Sequence, residues 1–204
     1  LADVTVITRA EIERQAFGGL ADLLVNAGCV EVSRTGGPTS TTSLFLRGAD
    51  NRHTVLLVDG VRVDSQATGG AAWNTIPLAQ IERVEVLKGP ASAVYGSDAI
   101  GGVIQVFTRR SDGPLRADVG LAAGSQGTVK VEAAVRGGNK TFDHAASLSV
   151  ERSSGFNATN EKSTFSYVPD RDGYRRANGS LRLGAEVSSG HRLSLVALKN
   201  RTDS

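Results

Sequence analysis

The sequence predicts a small α+β domain with a mixed sheet over residues 1–111, followed over residues 112–204 by antiparallel β-strands. Three observations carry this reading. The first half mixes short apolar runs with helix-start and helix-stop signals. It also contains Val55-Leu56-Leu57-Val58-Asp59-Gly60-Val61, in which Asp-Gly supplies the positive φ of a two-residue hairpin turn. Beyond Ser111-Asp112-Gly113-Pro114 the grammar changes, and apolar and polar residues alternate with a period of two.

Taken in order, residues 4–7 read as a strand. Thr8 precedes Glu11 by three positions, a capping-box pattern that opens a helix to about residue 16. Gly18-Gly19 breaks it, and residues 20–26 form a second short helix with Gly28 as its stop. A strand over 43–47 ends at Gly48, and residues 54–58 and 61–63 are the arms of the hairpin. A helical turn over 77–81 leads into a strand over 84–87, which Gly89-Pro90 stops. A turn of helix over 91–95 and a strand over 103–108 complete the domain.

In the second half, strands are expected over 115–123, 129–136, 142–151, 181–187 and 191–199. Leu115, Val119, Leu121, Val129, Val131, Leu148 and Val150 fall on one face, and Arg116, Asp118, Lys130, Glu132, Ser147 and Ser149 on the other. Turns at 125–126, 137–139 and 188–190 are short, and the connection over 153–176 is long. Short turns on one side and a long loop on the other suit a membrane barrel. The same alternation describes a soluble antiparallel sheet, which is the commoner source of it.

Composition narrows the function classes. Of 204 residues, 40% are hydrophobic and 22% charged, so a packed core is expected rather than disorder. The formal net charge of +2 and the lack of a Lys/Arg-rich block argue against nucleic acid. The single cysteine, Cys29, cannot form an internal disulfide. No run approaches the roughly 18 apolar residues of a transmembrane helix, and Leu1-Ala2-Asp3 does not open a signal peptide. Gly89 to Ala93 and Gly96 to Gly102 lack the Gly-Lys-Ser/Thr ending of a phosphate-binding loop. His53, His144 and His191 have no metal-ligand spacing, and no serine sits in a Gly-x-Ser-x-Gly elbow, so no enzyme is expected.

One ordered series is more specific. It comprises Leu44-Phe45-Leu46-Arg47-Gly48, the Val55 to Val61 hairpin and Ile76-Pro77. It continues with Ile81-Glu82-Arg83-Val84-Glu85-Val86-Leu87-Lys88-Gly89-Pro90 and closes with Ala93-Val94-Tyr95-Gly96-Ser97-Asp98-Ala99-Ile100-Gly101-Gly102. The series resembles the plug domain of TonB-dependent outer-membrane receptors, and its last motif looks most like the vitamin B12 (cobalamin) receptor branch. The resemblance covers about residues 4 to 110. It implies a plug inside a barrel of about 22 strands, with the alternating strands as the first part of an incomplete transmembrane β-barrel. It also implies the outer membrane of a Gram-negative bacterium, outer-membrane lipid around the barrel, the TonB–ExbB–ExbD complex as energy-transducing partner, and uptake of a small molecule. Cobalamin is the favoured substrate and an iron chelate, ferric siderophore or haem, the alternative within the family. A soluble plug-like binding or signalling module is the alternative of another class.

The resemblance also suggests roles for residues. Arg47, Arg83, Glu85 and Lys88 are candidates for plug–barrel ion pairs, where the ordinary reading is a solvated sheet face. Two loops, over 34–40 and 64–74, are candidate substrate contacts through Thr35, Thr39, Gln66, Thr68 and Trp73. Trp73 is favoured because indole offers a large apolar face and one donor; the ordinary reading of both loops is connection. Asp170 and Asp172, in Asp170-Arg171-Asp172-Gly173, resemble a calcium loop, or a solvated turn. No other cofactor is expected. The chain departs from the family in having Asn26-Ala27-Gly28-Cys29-Val30 where Leu-Pro-Gly-Val is usual. No TonB box is visible, and too few strands are present to close a barrel, so the sequence is expected to be an N-terminal fragment or the product of a truncated gene.

Overall fold

A computed structural model describes residues 3–15, 17–37, 40–65, 70–71, 73, 76–111, 113–157, 162 and 171–203. The chain divides into two compact units. One comprises residues 1–33 and 42–109, and the other residues 34–41 and 110–204.

The first elements are β1 (Asp3–Ile7), α1 (Arg9–Arg14), α2 (Leu20–Asn26), β2 (Glu31–Arg34) and β3 (Thr42–Phe45). A 3-10 turn (Asn51–His53) then leads into β4 (Thr54–Val58), β5 (Val61–Arg62), β6 (Asp64–Ser65) and β7 (Gly70–Ala71). A second 3-10 turn (Leu78–Gln80), β8 (Ile81–Lys88), α3 (Ser92–Tyr95) and β9 (Gly102–Thr108) follow. Helix α1 starts where the capping pattern places it: the Thr8 N–H and hydroxyl both donate to the Glu11 carboxylate at 2.7 Å. Those bonds, the hydroxyl's first, hold the Glu11 carboxyl below its ordinary range. Helix α2 ends in a Schellman motif, with Gly28 at φ +66° and Cys29 N–H on Leu24 O. The departure from Leu-Pro-Gly-Val therefore leaves the turn intact.

The main sheet of the first unit has the order β1-β8-β9-β4-β5. It is mixed, because β4 and β9 run parallel while the other neighbours are antiparallel. Register aligns Ile7, Val84, Val106 and Val58 in one row, and Val86, Ile104 and Leu56 in the next. All seven are buried, as are Ile12, Leu20 and Leu24 of the helices. The predicted hairpin is present, with Asp59 at φ +48° and Gly60 at φ +86°. The Asp59 carboxylate does more than turn the chain: it accepts from the Thr108 N–H at 2.9 Å and from the Thr108 hydroxyl, tying the hairpin to the end of β9. Strand β2, which pairs with β3, was not expected from sequence; its Glu31-Val32-Ser33 stretch is exposed and too short to show a period.

The second unit carries β10 (Arg116–Ala123), β11 (Val129–Gly138), β12 (Phe142–Ser153), β13 (Tyr174–Ser188) and β14 (His191–Asp203). They form one antiparallel sheet in sequence order, open at both edges among the described residues. The later strands are longer than their alternation suggested. The 12 residues of β12 span about 40 Å at about 3.3 Å per residue. A tilted membrane-crossing strand needs about 9–11 residues.

The arrangement of turns differs from expectation. Registers place the 139–141 and 189–190 turns at one end of the sheet, but the 124–128 turn lies at the other, beside the long connection. Ser154 N–H donates to Gln126 O at 3.0 Å, fastening that turn to the start of the loop. The Asn139 side chain closes the 139–141 turn by accepting from Thr141 N–H and Phe142 N–H. No helix of the described residues is long and apolar enough to cross a membrane, which bears on helices only.

Candidate functional site

The residues singled out from sequence fall into separate local arrangements. Trp73 is 3% exposed, and its indole N–H donates to Asn51 Oδ1 at 2.7 Å. In this structure the Trp73 ring is an internal anchor, and its one donor is taken by Asn51. Its partner Asn51 is also buried, and Gly70 of β7 lies directly against the Asn51 amide, where a Cβ would collide. Thr39, Gln66 and Thr68 lie outside the described residues. Thr35 is exposed, with its N–H directed to Thr41 O at 3.4 Å.

Three of the charged candidates, Arg47, Arg83 and Glu85, have ion-pair partners within the first unit. Arg47, at φ +54°, bonds Asp3 at 2.8 Å. Arg83 bonds Glu85 at 2.7 Å along one face of β8, and its guanidinium lies 3.7 Å from the Phe107 ring centroid. Lys88 ends β8, opposite Asp3 and Gly102 in register.

An ionic link that sequence reading missed joins the residue after the hairpin motif to the last motif segment. Arg62 bonds both Asp64 and Asp98 at 2.7 Å. The Arg62 hydrogen bond pulls the Asp98 carboxyl below its ordinary range, and Asp98 in turn raises Arg62. Asp98 stood inside the recognised motif, but nothing in the local sequence named Arg62 as its partner.

Asp172 is described and Asp170 is not. Asp172 N–H donates to Phe156 O at 3.1 Å. Among the described residues no group of three His, Cys, Asp or Glu side chains is placed to hold a metal ion.

The second unit's chemistry lies in its two faces. Rows of the sheet bring together Leu121, Val131 and Val150; Val119, Ala133 and Leu148; and Ala185, Phe142 and Leu193. This apolar face is the exposed one: Leu121 is 78% exposed, Val119 76%, Leu193 69% and Leu148 68%. The opposite face is polar and inward. Arg182, at 0% exposure, bonds Asp143 Oδ2 at 3.3 Å, and Arg192 pairs with Asp143 Oδ1. Ser147 and Ser180 share a hydrogen bond at 2.5 Å, and the Tyr174 hydroxyl donates to Glu151 at 2.6 Å. Lys130 bonds Glu132 at 2.8 Å, and Glu132 fills the space over Gly120. A soluble sheet hides its apolar face and wets its polar one. Here the two are inverted, as in a barrel wall whose outer surface meets lipid.

The comparison with known proteins settles the family. The model of the TonB-dependent Receptor Plug Domain matches residues 1–103. The chain belongs to the TonB-dependent receptor plug domain family.

The first unit is thus the plug, and β10–β14 are an unclosed part of a TonB-dependent receptor barrel. Among curated relatives, the vitamin B12 transporter BtuB of Vibrio vulnificus is 43% identical over 125 residues, covering 61% of this chain and 20% of the relative. BtuB of Photobacterium profundum is 33% identical over 196 residues, covering 96% of this chain and 32% of the relative. The matched region is thus from a fifth to a third of these relatives. Among solved structures, the siderophore receptor PirA of Acinetobacter baumannii aligns with a TM-score of 0.74 at 22% identity, over 98% of this chain and 31% of that one. The ferric enterobactin receptor PfeA of Pseudomonas aeruginosa aligns at 0.74 and 19% identity, over 99% and 33%. At such identities these two establish the receptor fold.

Proposed function

We propose that this chain is the N-terminal portion of an outer-membrane transporter that imports a cobalamin-like nutrient, energised by the TonB–ExbB–ExbD complex. The observation that carries the reading is the outward apolar face of β10–β14 directly after a plug domain. A soluble signalling module would gain nothing from exposing Leu121, Val119 and Leu148 together. Sequence likeness to proteins named vitamin B12 transporters supports cobalamin. The task of such a chain is binding and conformational release, with no covalent step.

The full polypeptide, purified from outer membranes, is expected to bind cyanocobalamin saturably, and uptake by cells is expected to vanish without TonB. Binding of a ferric siderophore with none of cyanocobalamin would replace the substrate and keep the transporter. Absence from the outer-membrane fraction would defeat the transporter itself. On the resemblance alone, Asp170 and Asp172 are proposed to take up Ca²⁺ in the long loop. Calorimetry with CaCl₂ on wild type and Asp172→Asn tests that; equal heats from the two would reject it.

A further inference from the structure

At the end of the sheet bearing the 139–141 and 189–190 turns, a cavity of about 520 Å³ opens within the second unit. Three cations, Arg110, Lys140 and Arg192, line it with two carboxylates, Asp143 and Glu186. Asp143 is almost wholly buried and its two oxygens are taken, one by the fully buried Arg182 and one by Arg192. Gly184, opposite Asp143 in register, makes room for this: a Cβ there would collide with the carboxylate and lie 3.1 Å from Arg192 Nη2. Arg182 therefore fixes Asp143, and Asp143 fixes the Arg192 guanidinium at the cavity wall. Arg110 and Lys140 make no ion pair among the described residues. Ser111 adds a hydroxyl to the wall, and Asn139 an amide whose oxygen is already used in its own turn. Glu186, the register partner of Arg192, offsets only part of this positive charge.

We propose that this cavity binds a soluble oxyanion of two or more negative charges, a phosphate ester or a diphosphate. A preorganised guanidinium donates to such oxygens in a two-point fork, and an ammonium adds a point charge. The volume lies within the range of about 300–1,000 Å³ usual for small-molecule sites. Asp143, Glu186 and Arg192 stand on the polar face of the sheet, away from the exposed Leu and Val rows, which favours a dissolved anion over a lipid headgroup. The inference rests on this geometry and is independent of the substrate proposed above.

Calorimetric titration of the full polypeptide with sodium diphosphate, in phosphatidylcholine nanodiscs at low ionic strength, tests it. Saturable binding is expected, weakening with added salt. Arg110→Gln with Lys140→Gln is expected to weaken it at least about tenfold. Arg116→Gln with Arg175→Gln removes the same charge outside the cavity and is expected to leave binding unchanged. No saturable binding, or equal loss in both double variants, would overturn the site. Displacement of diphosphate when phosphatidylglycerol replaces phosphatidylcholine would overturn the soluble-anion assignment.

Discussion

Asn51 is the residue whose importance the sequence hid. Its side-chain oxygen holds the Trp73 indole, and its amide presses against Gly70. Trp73 was singled out for its large face and single donor, and both are used, but internally. A one-dimensional sequence does not say whether a tryptophan's partner is a ligand or a distant asparagine. Trp73→Phe keeps most of the packing and strands Asn51 Oδ1, so it is expected to cost about 1–3 kcal/mol in chemical denaturation. Asn51→Ala is expected to cost a similar amount. A second prediction concerns Asp98. Its folded pKa lies below the ordinary carboxylate value, so its link to Arg62 contributes at neutral pH and is lost as pH falls through the lowered value. Asp98→Asn is expected to flatten the acid side of the melting-temperature profile relative to wild type. Both partners are partly exposed, so the difference is expected to be small and to shrink in high salt.

At the scale of elements, turns and caps were the legible part. Asp59-Gly60, Thr8 with Glu11, and Gly28 each name a backbone geometry that few other residues satisfy, and each is where the sequence placed it. Strand ends were less legible, because β13 runs through Arg176, Asn178 and Ser180, polar residues that suit an inward face but resemble loop. Gly102 illustrates an element held by close approach. At φ +150°, it pairs with both β8 and β4, and a Cβ would enter the Leu87 carbonyl oxygen and the Leu46 side chain. Gly102→Ala is expected to destabilise the plug by about 2 kcal/mol or more, read as a lower denaturation midpoint. Leu148 tests the sheet. On a lipid face near mid-membrane, Leu148→Arg is expected to cost about 2–4 kcal/mol in a barrel-folding titration into lipid. On a water-exposed surface the same change would stay within about 0.5 kcal/mol.

For the molecule as a whole, the plug was readable because its motifs run in order, and the family match covers residues 1–103. The environment of the strands was not readable from alternation, since an aqueous interior and bulk water ask for the same polar side chains. Exposure supplies what the pattern lacks: the leucines and valines point out while Arg182 and Asp143 are enclosed. The local pairing of charges on the plug was also not readable in the sequence. Opposite charges close in sequence or register, such as Arg83 with Glu85, satisfy each other locally before any distant partner is needed. The most direct test of the account is spin-label accessibility at position 148. Leu148→Cys, labelled with a nitroxide in a Cys29→Ala background and reconstituted in lipid, is predicted to relax faster with dissolved oxygen and to be shielded from a water-soluble nickel chelate. Strong relaxation by the chelate with little effect of oxygen would place this face in water and contradict the membrane-barrel reading.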